Sequence, residues 1–93
     1  MVIAIDPGET IGVATTMGDT CQVSMEEFPG LIRDLNKIER ITTAVIERPS
    51  SPRANSQYYV GYCHGIVVAL TGAEVVFQKP VQRKLFLLSL IHI

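Results

Sequence analysis

Apolar and polar positions along this chain fall into short runs and repeats that mark its elements one after another. Val2 to Ile5 is an unbroken apolar run, the composition of a strand buried on both faces. Ile11 to Thr16 predicts a second strand, joined to the first by a turn containing Pro7 and Gly8. Met17-Gly18-Asp19 supplies a turn before a third strand at Thr20 to Ser24, so the opening third reads as an antiparallel meander. Pro29 suits the first turn of a helix. There Leu31, Ile32, Leu35 and Ile38 share one face, with Arg33, Asp34, Lys37 and Glu39 largely on the other. Thr42 to Glu47 (TTAVIE) is short, β-branched and apolar at its centre, and Pro49 stops it. Reached through a helical crossover, this fourth strand is expected to run parallel to the first.

The stretch from about Asn55 to Thr71 is long and mostly apolar, with Gly72 as its natural stop, and predicts a second helix. Gly61 and Gly65, four apart, put two bare backbone patches on one face of it. Each costs about 1 kcal/mol of helix propensity relative to Ala, and close packing on a sheet is the expected compensation. Glu74 to Phe77 is a fifth strand, and Pro80 opens another helix. The order β-β-β-α-β-α-β predicts an α/β fold with a mixed sheet.

Composition narrows the function classes. At 93 residues the chain makes at most one small domain, and a hydrophobic fraction of 47% excludes a disordered one. No apolar run reaches the roughly 18 residues of a membrane span, so no membrane partner is expected. The N-terminus has neither a basic segment nor a small-residue cleavage site, which argues against secretion. Cys21 and Cys63 lack metal-type spacing and read as core thiols in a reducing cytoplasm. Net charge is −1, against a general polyanion binder, but its distribution is uneven. Residues 1–47 carry three basic and eight acidic side chains, residues 48–93 five basic and one acidic. Such polarity permits a cation site on one element and a phosphate-facing surface on another.

Asp6 is the residue that the apolar pattern does not explain. It ends the first strand without a spacer, and Glu47 ends the fourth. If those strands are adjacent and parallel, both carboxylates project into one crevice at the edge where open α/β sheets bind ligands. Two carboxylates held together repel unless a proton or cation intervenes. A hard divalent ion such as Mg²⁺ fits, because it takes oxygen ligands and keeps several waters. The alternative is structural: Asp6 accepting backbone N–H bonds in its turn, and Glu47 paired with Arg48.

The residues around these acids resemble a known family. IAIDPGETIGVA is similar to the opening of RuvC-type Holliday junction resolvases, within the ribonuclease H-like superfamily. VIERP follows, with Glu47 matching the family's second catalytic acid. In NSQYYVGYCHG, Asn55, Gly61 and Gly65 match its helix with a Gly-x-x-x-Gly pair, and in PVQRK, Pro80 and Lys84 match a proline-led turn with a lysine four residues on. The resemblance spans about Val2 to Lys84, in order. It implies a ribonuclease H-like, metal-dependent nuclease that cuts branched DNA symmetrically as a homodimer. Asp6 and Glu47 would hold Mg²⁺, with Mn²⁺ as the alternative, and Lys84 would sit near the scissile phosphate as a third catalytic residue. Arg53, Asn55, Arg83 and Lys84 are the candidate DNA contacts, with Lys79 in the same basic half. Pro7 and Gly8 would make the turn that keeps Asp6 at the sheet edge. Such an enzyme belongs in the cytoplasm of a bacterium, or is encoded by a phage within one.

There are departures from the family. His64 stands where it often has an arginine; a lone His in a mostly apolar helix reads as structural. The family completes its metal site with acids on a later helix, whereas no acid follows Glu74 here. The chain is therefore expected to be a C-terminally truncated fragment, with residues 1–84 a partial nuclease domain that does not cleave alone. Leu88-Ser89-Leu90-Ile91-His92-Ile93 resembles the translation of a transposon end used to tag sequencing libraries. Residues 85–93 are accordingly expected to be a non-native or frame-disrupted tail, the other reading being an apolar C-terminal helix.

Three rival readings stay open. Asp6-Pro7-Gly8-Glu9-Thr10 also fits the D-x-G-x-T pattern of actin-like and sugar-kinase ATPases, whose turn holds phosphate. A YqgF-type ribosomal RNA nuclease opens similarly, and a ribonuclease H-like binding module without metal would keep the fold and lose the chemistry.

Overall fold

In the computed structural model, residues 1–48 and 54–78 are described. The elements are β1 (Val2–Asp6), β2 (Thr10–Thr15), β3 (Thr20–Ser24), α1 (Phe28–Ile38), β4 (Thr43–Glu47), α2 (Ala54–Thr71) and β5 (Glu74–Gln78). Their order is the predicted one, and the five strands form one mixed sheet arranged β3-β2-β1-β4-β5. β1 pairs antiparallel with β2 and parallel with β4, and β4 pairs parallel with β5. The predicted helix opening at Pro80 lies outside the described residues.

Local chemistry explains the connections. A Cβ on Gly8 would come within 3.1 Å of the Thr10 carbonyl oxygen, so a side chain there would press on the backbone of the tight β1–β2 turn. Gly18, at φ +90°, turns β2 into β3. Before α1, Ser24 and Glu27 bond reciprocally. The Ser24 N–H donates to Glu27 Oε1 (3.0 Å) and the Glu27 N–H to Ser24 Oγ (3.2 Å), a capping box. The Ser24 N–H, and after it the Ser24 hydroxyl, lower the pKa of the Glu27 carboxyl from its ordinary value. Gly72, at φ +67°, ends α2 as expected.

Both helices pack on the same face of the sheet. Ile3, Ile5, Ile11, Val13, Ala44 and Ile46 meet Phe28, Ile32 and Leu35 of α1 and Cys63 and Val67 of α2. Full burial contributes about 1.5–3 kcal/mol for each large side chain, so this layer is what holds the fold. The Tyr62 hydroxyl adds a tie, donating to the Met25 carbonyl ahead of α1. The other face carries small residues: Ala4 and Ala14 are buried against Val2.

Three expectations are corrected. Ile38 is 66% exposed rather than core-facing, while Phe28, one residue ahead of Pro29, is fully buried. Three residues fall about 60° short of a full turn, so each step from Ile32 to Leu35 to Ile38 drifts the same way and leaves the face that Phe28 centres. Gly61 and Gly65 do not pack on the sheet; both are exposed, with nothing within 4 Å of where a Cβ would stand. Cys63 is a core thiol, but Cys21 is exposed on β3, one of the sheet's two edge strands among the described residues. Among the described residues, no helix is long and apolar enough to cross a membrane.

Candidate metal centre

The parallel register of β1 and β4 sets Ile5 opposite Ile46. Side chains alternate faces along a strand. Ile5 and Ile46 enter the helix-facing core, so Asp6 and Glu47, one step further, project together from the opposite face. Gly12 on β2 is the cross-strand partner of Asp6, and Gln78 on β5 is that of Glu47. Four neighbouring strands thus present Gly12, Asp6, Glu47 and Gln78 in one row, with about 4.8 Å between strands. The row borders a cavity of about 400 Å³ floored by Ala4, Ala14 and Val45. Gly12 keeps it open: a Cβ there would stand 3.5 Å from Asp6 Cβ, within the space the carboxylate faces.

Asp6 and Glu47 are both half-buried. Half-buried carboxylates on adjacent strands favour a bound cation, and their oxygens suit a hard divalent one. Gln78 Oε1 is buried and has no hydrogen-bond partner among the described residues. An orphaned buried acceptor is costly, and a cation or a metal-bound water would satisfy it. The row therefore fits a Mg²⁺-type ion in donor chemistry. The acids do not complete a site, since no group of three or more His, Cys, Asp or Glu is placed to hold a metal among the described residues.

Groups on the helix side are excluded from the row. Burial pushes the Cys63 thiol up to about 12, and the Asp6 carboxylate adds to the effect. Cys63 is fully buried in the helix-facing core and does not line the cavity. The Arg48 guanidinium lies 4.3 Å from the centre of the Phe77 ring, and the His64 ring meets Phe77 edge-on at 5.3 Å. Phe77 belongs to the helix-facing layer, so His64 packs on the side of the sheet away from the row. Arg48 is engaged on the face opposite Glu47, which argues against the Glu47–Arg48 pairing.

Pro7 and Gly8 form the half-buried turn directly after Asp6. Asn55 is exposed in the first turn of α2. Arg53, Lys79, Arg83 and Lys84 lie outside the described residues. Two members of the row, Gly12 and Gln78, are missed by reading the sequence alone. A glycine inside a strand marks a close approach, which is the available signal for Gly12. Gln78 escapes because the apolar pattern ends the fifth strand one residue early, at Phe77.

No protein-family model matches the chain, and no curated protein matches it. Among solved structures, it is similar to T. thermophilus RuvC in complex with a Holliday junction substrate, with a TM-score of 0.63 and 20% identity. That likeness covers 87% of this chain and 65% of the other. A second Thermus thermophilus RuvC structure matches at TM-score 0.61 and 20% identity, covering 87% of this chain and 64% of that one. The chain spans less than two thirds of the length of either. At this identity the likeness establishes architecture: the chain has a RuvC-like fold of the ribonuclease H type.

Proposed function

We propose that this chain carries part of the active site of a Mg²⁺-dependent endonuclease that resolves branched DNA by phosphodiester hydrolysis, its substrate being the Holliday junction. The observation that carries the reading is the pairing of Asp6 and Glu47 at the ends of adjacent parallel strands, on the open face of the sheet. The junction bound to one structural neighbour supports the choice of substrate.

Asp6 and Glu47 hold the ion, with Mn²⁺ able to replace Mg²⁺. Once bound, the ion supplies Lewis acidity for a phosphoryl oxygen and a lowered pKa for its water. The rigid β1–β4 register fixes the spacing of the two carboxylates, and the Pro7-Gly8 turn directs the chain away from the cavity. Lys84 neutralises charge near the scissile phosphate. Arg53, Arg83 and Asn55, the last beside the electropositive start of α2, contact the DNA backbone and position it without reading bases. Resolution of a four-way junction takes two symmetric cuts, which a homodimer supplies with two such sites. The working place is the cytoplasm of a bacterium, where the gene is cellular or carried by a phage.

The test is cleavage of a synthetic four-way junction by this chain and by a version lengthened at its C-terminus to the size of the RuvC structures it matches. Paired, Mg²⁺-dependent nicks that disappear in Asp6→Asn and Glu47→Gln are the expected result. Cleavage of single-stranded RNA with the junction left intact would transfer the site to a ribosomal RNA nuclease. Thermal stabilisation by ATP, without cleavage, would assign it to an ATPase lobe.

A further inference from the structure

Gln78 is the member of the row for which neither the fold nor the carboxylate pair requires an amide. It stands on the outer strand β5, directly across from Glu47, and lines the same cavity as Asp6. Its main-chain carbonyl is already engaged, accepting the Arg48 N–H at 2.7 Å, so this end of β5 is pinned to β4. The side chain is therefore delivered to a fixed place, with its Oε1 buried and without a hydrogen-bond partner among the described residues. Gln78 shares one cavity with both carboxylates, and its amide oxygen, unlike the amide nitrogen, offers them no hydrogen bond. What it can attract is a positive charge or a donor held between itself and those carboxylates. Amide oxygens are established ligands for hard divalent cations, alongside carboxylates and water.

We propose that Gln78 Oε1 is an oxygen ligand of the divalent ion held by Asp6 and Glu47, so that strands β1, β4 and β5 each contribute one donor. The inference rests on the metal-centre reading above and extends it to a residue outside the carboxylate pair. A neutral third ligand adds a coordinating oxygen without adding a third negative charge to a row that already carries two. It also fixes the ion toward the β5 side of the cavity, over Glu47.

The test is Mn²⁺ binding by the full chain, read from the free-ion electron paramagnetic resonance signal, together with thermal unfolding with and without Mn²⁺. Gln78→Leu is expected to weaken the Mn²⁺ Kd about 100-fold or more, beyond the roughly 10- to 100-fold that loss of a merely supporting residue gives. Without metal the same variant unfolds at the wild-type temperature or above, because an orphaned acceptor has been removed. Its Mn²⁺-induced stabilisation is expected to shrink, a crossover that a purely structural role would not give. Gln78→Glu, which keeps size and polarity, is expected to bind Mn²⁺ more tightly than wild type. If Asp6→Asn abolishes binding while both Gln78 variants keep the wild-type Kd, the ligand role of Gln78 is overturned and the carboxylate site stands. If Asp6→Asn binds as well as wild type, or wild type shows no binding at millimolar Mn²⁺, the metal-centre reading falls and this inference with it.

Discussion

Asp6 and Glu47 leave adjacent parallel strands one residue beyond the Ile5–Ile46 pair, and this register sends both carboxylates away from the core that the isoleucines enter. The same alternation that buries the isoleucines makes the acids neighbours. Their proximity is thus a consequence of strand register, and it survives any substitution that leaves β1 and β4 paired.

That separation of roles gives the first prediction. Asp6→Asn and Glu47→Gln should each weaken divalent-metal affinity by at least about 100-fold, the upper range for losing a residue that only supports a ligand. Neither should unfold the metal-free chain, since the β1–β4 register and the core behind it do not depend on either carboxylate. Isothermal titration with Mn²⁺ and urea unfolding in EDTA check the two halves. A large loss of metal-free stability would mean that the acids serve the fold.

Gly12 offers the opposite test, in which the site is altered by adding matter. Alanine at this position would put a methyl group 3.5 Å from Asp6 Cβ, an ordinary contact that forces no backbone shift. Glycine within a strand costs roughly 0.5–1 kcal/mol relative to alanine. Gly12→Ala should therefore unfold at higher urea while binding metal more weakly, because the methyl group narrows the space beside the carboxylate. Equal gains in stability and affinity would contradict the role assigned to this gap.

Most of the fold was legible because each element carries its own signal. The apolar run at Val2–Ile5, the Met17-Gly18-Asp19 turn and the Pro49 stop need no tertiary information to read. Asp6 and Glu47 were legible for the same reason, as polar residues at the ends of apolar strands. What escaped depends on neighbours in space. Ile38 satisfies the helical spacing yet lies past the edge of the contact. Gln78 has meaning only through its partner Glu47, and Gly12 only through Asp6. The exposure of Gly61 and Gly65 depends on which side of α2 meets the sheet. In a helix with apolar residues around most of its circumference, periodicity does not decide that.

Those glycines give a third prediction. With nothing within 4 Å of where a Cβ would stand, Gly61→Ala and Gly65→Ala should each stabilise the chain by roughly 0.5–1 kcal/mol, the helix-propensity difference. Urea midpoints measure it directly. A loss of stability in either variant would show that something rests against that face of α2.

The last prediction concerns alkaline pH and Cys63. Its thiol is fully buried, and burial raises its pKa from 9.0 to about 12, with Asp6 contributing further. An acid whose pKa is raised on folding keeps its proton more tightly in the native state. Its contribution to stability is therefore complete below pH 9, the unfolded value, and is lost as pH rises through the interval up to about 12. Urea midpoints should fall across that interval in wild type, and fall less steeply in Cys63→Ala. That variant starts from a lower midpoint, because a buried side chain has been cut back. Alkylation gives a second readout. At pH 8 the exposed Cys21 should react with iodoacetamide while Cys63 does not, although Cys21 is itself slowed by partial burial and by the nearby Asp19. Mass spectrometry of the native chain should then find a single modified cysteine, at position 21. Modification of Cys63 at a comparable rate would mean that the layer between α2 and the sheet opens far more readily than its packing implies.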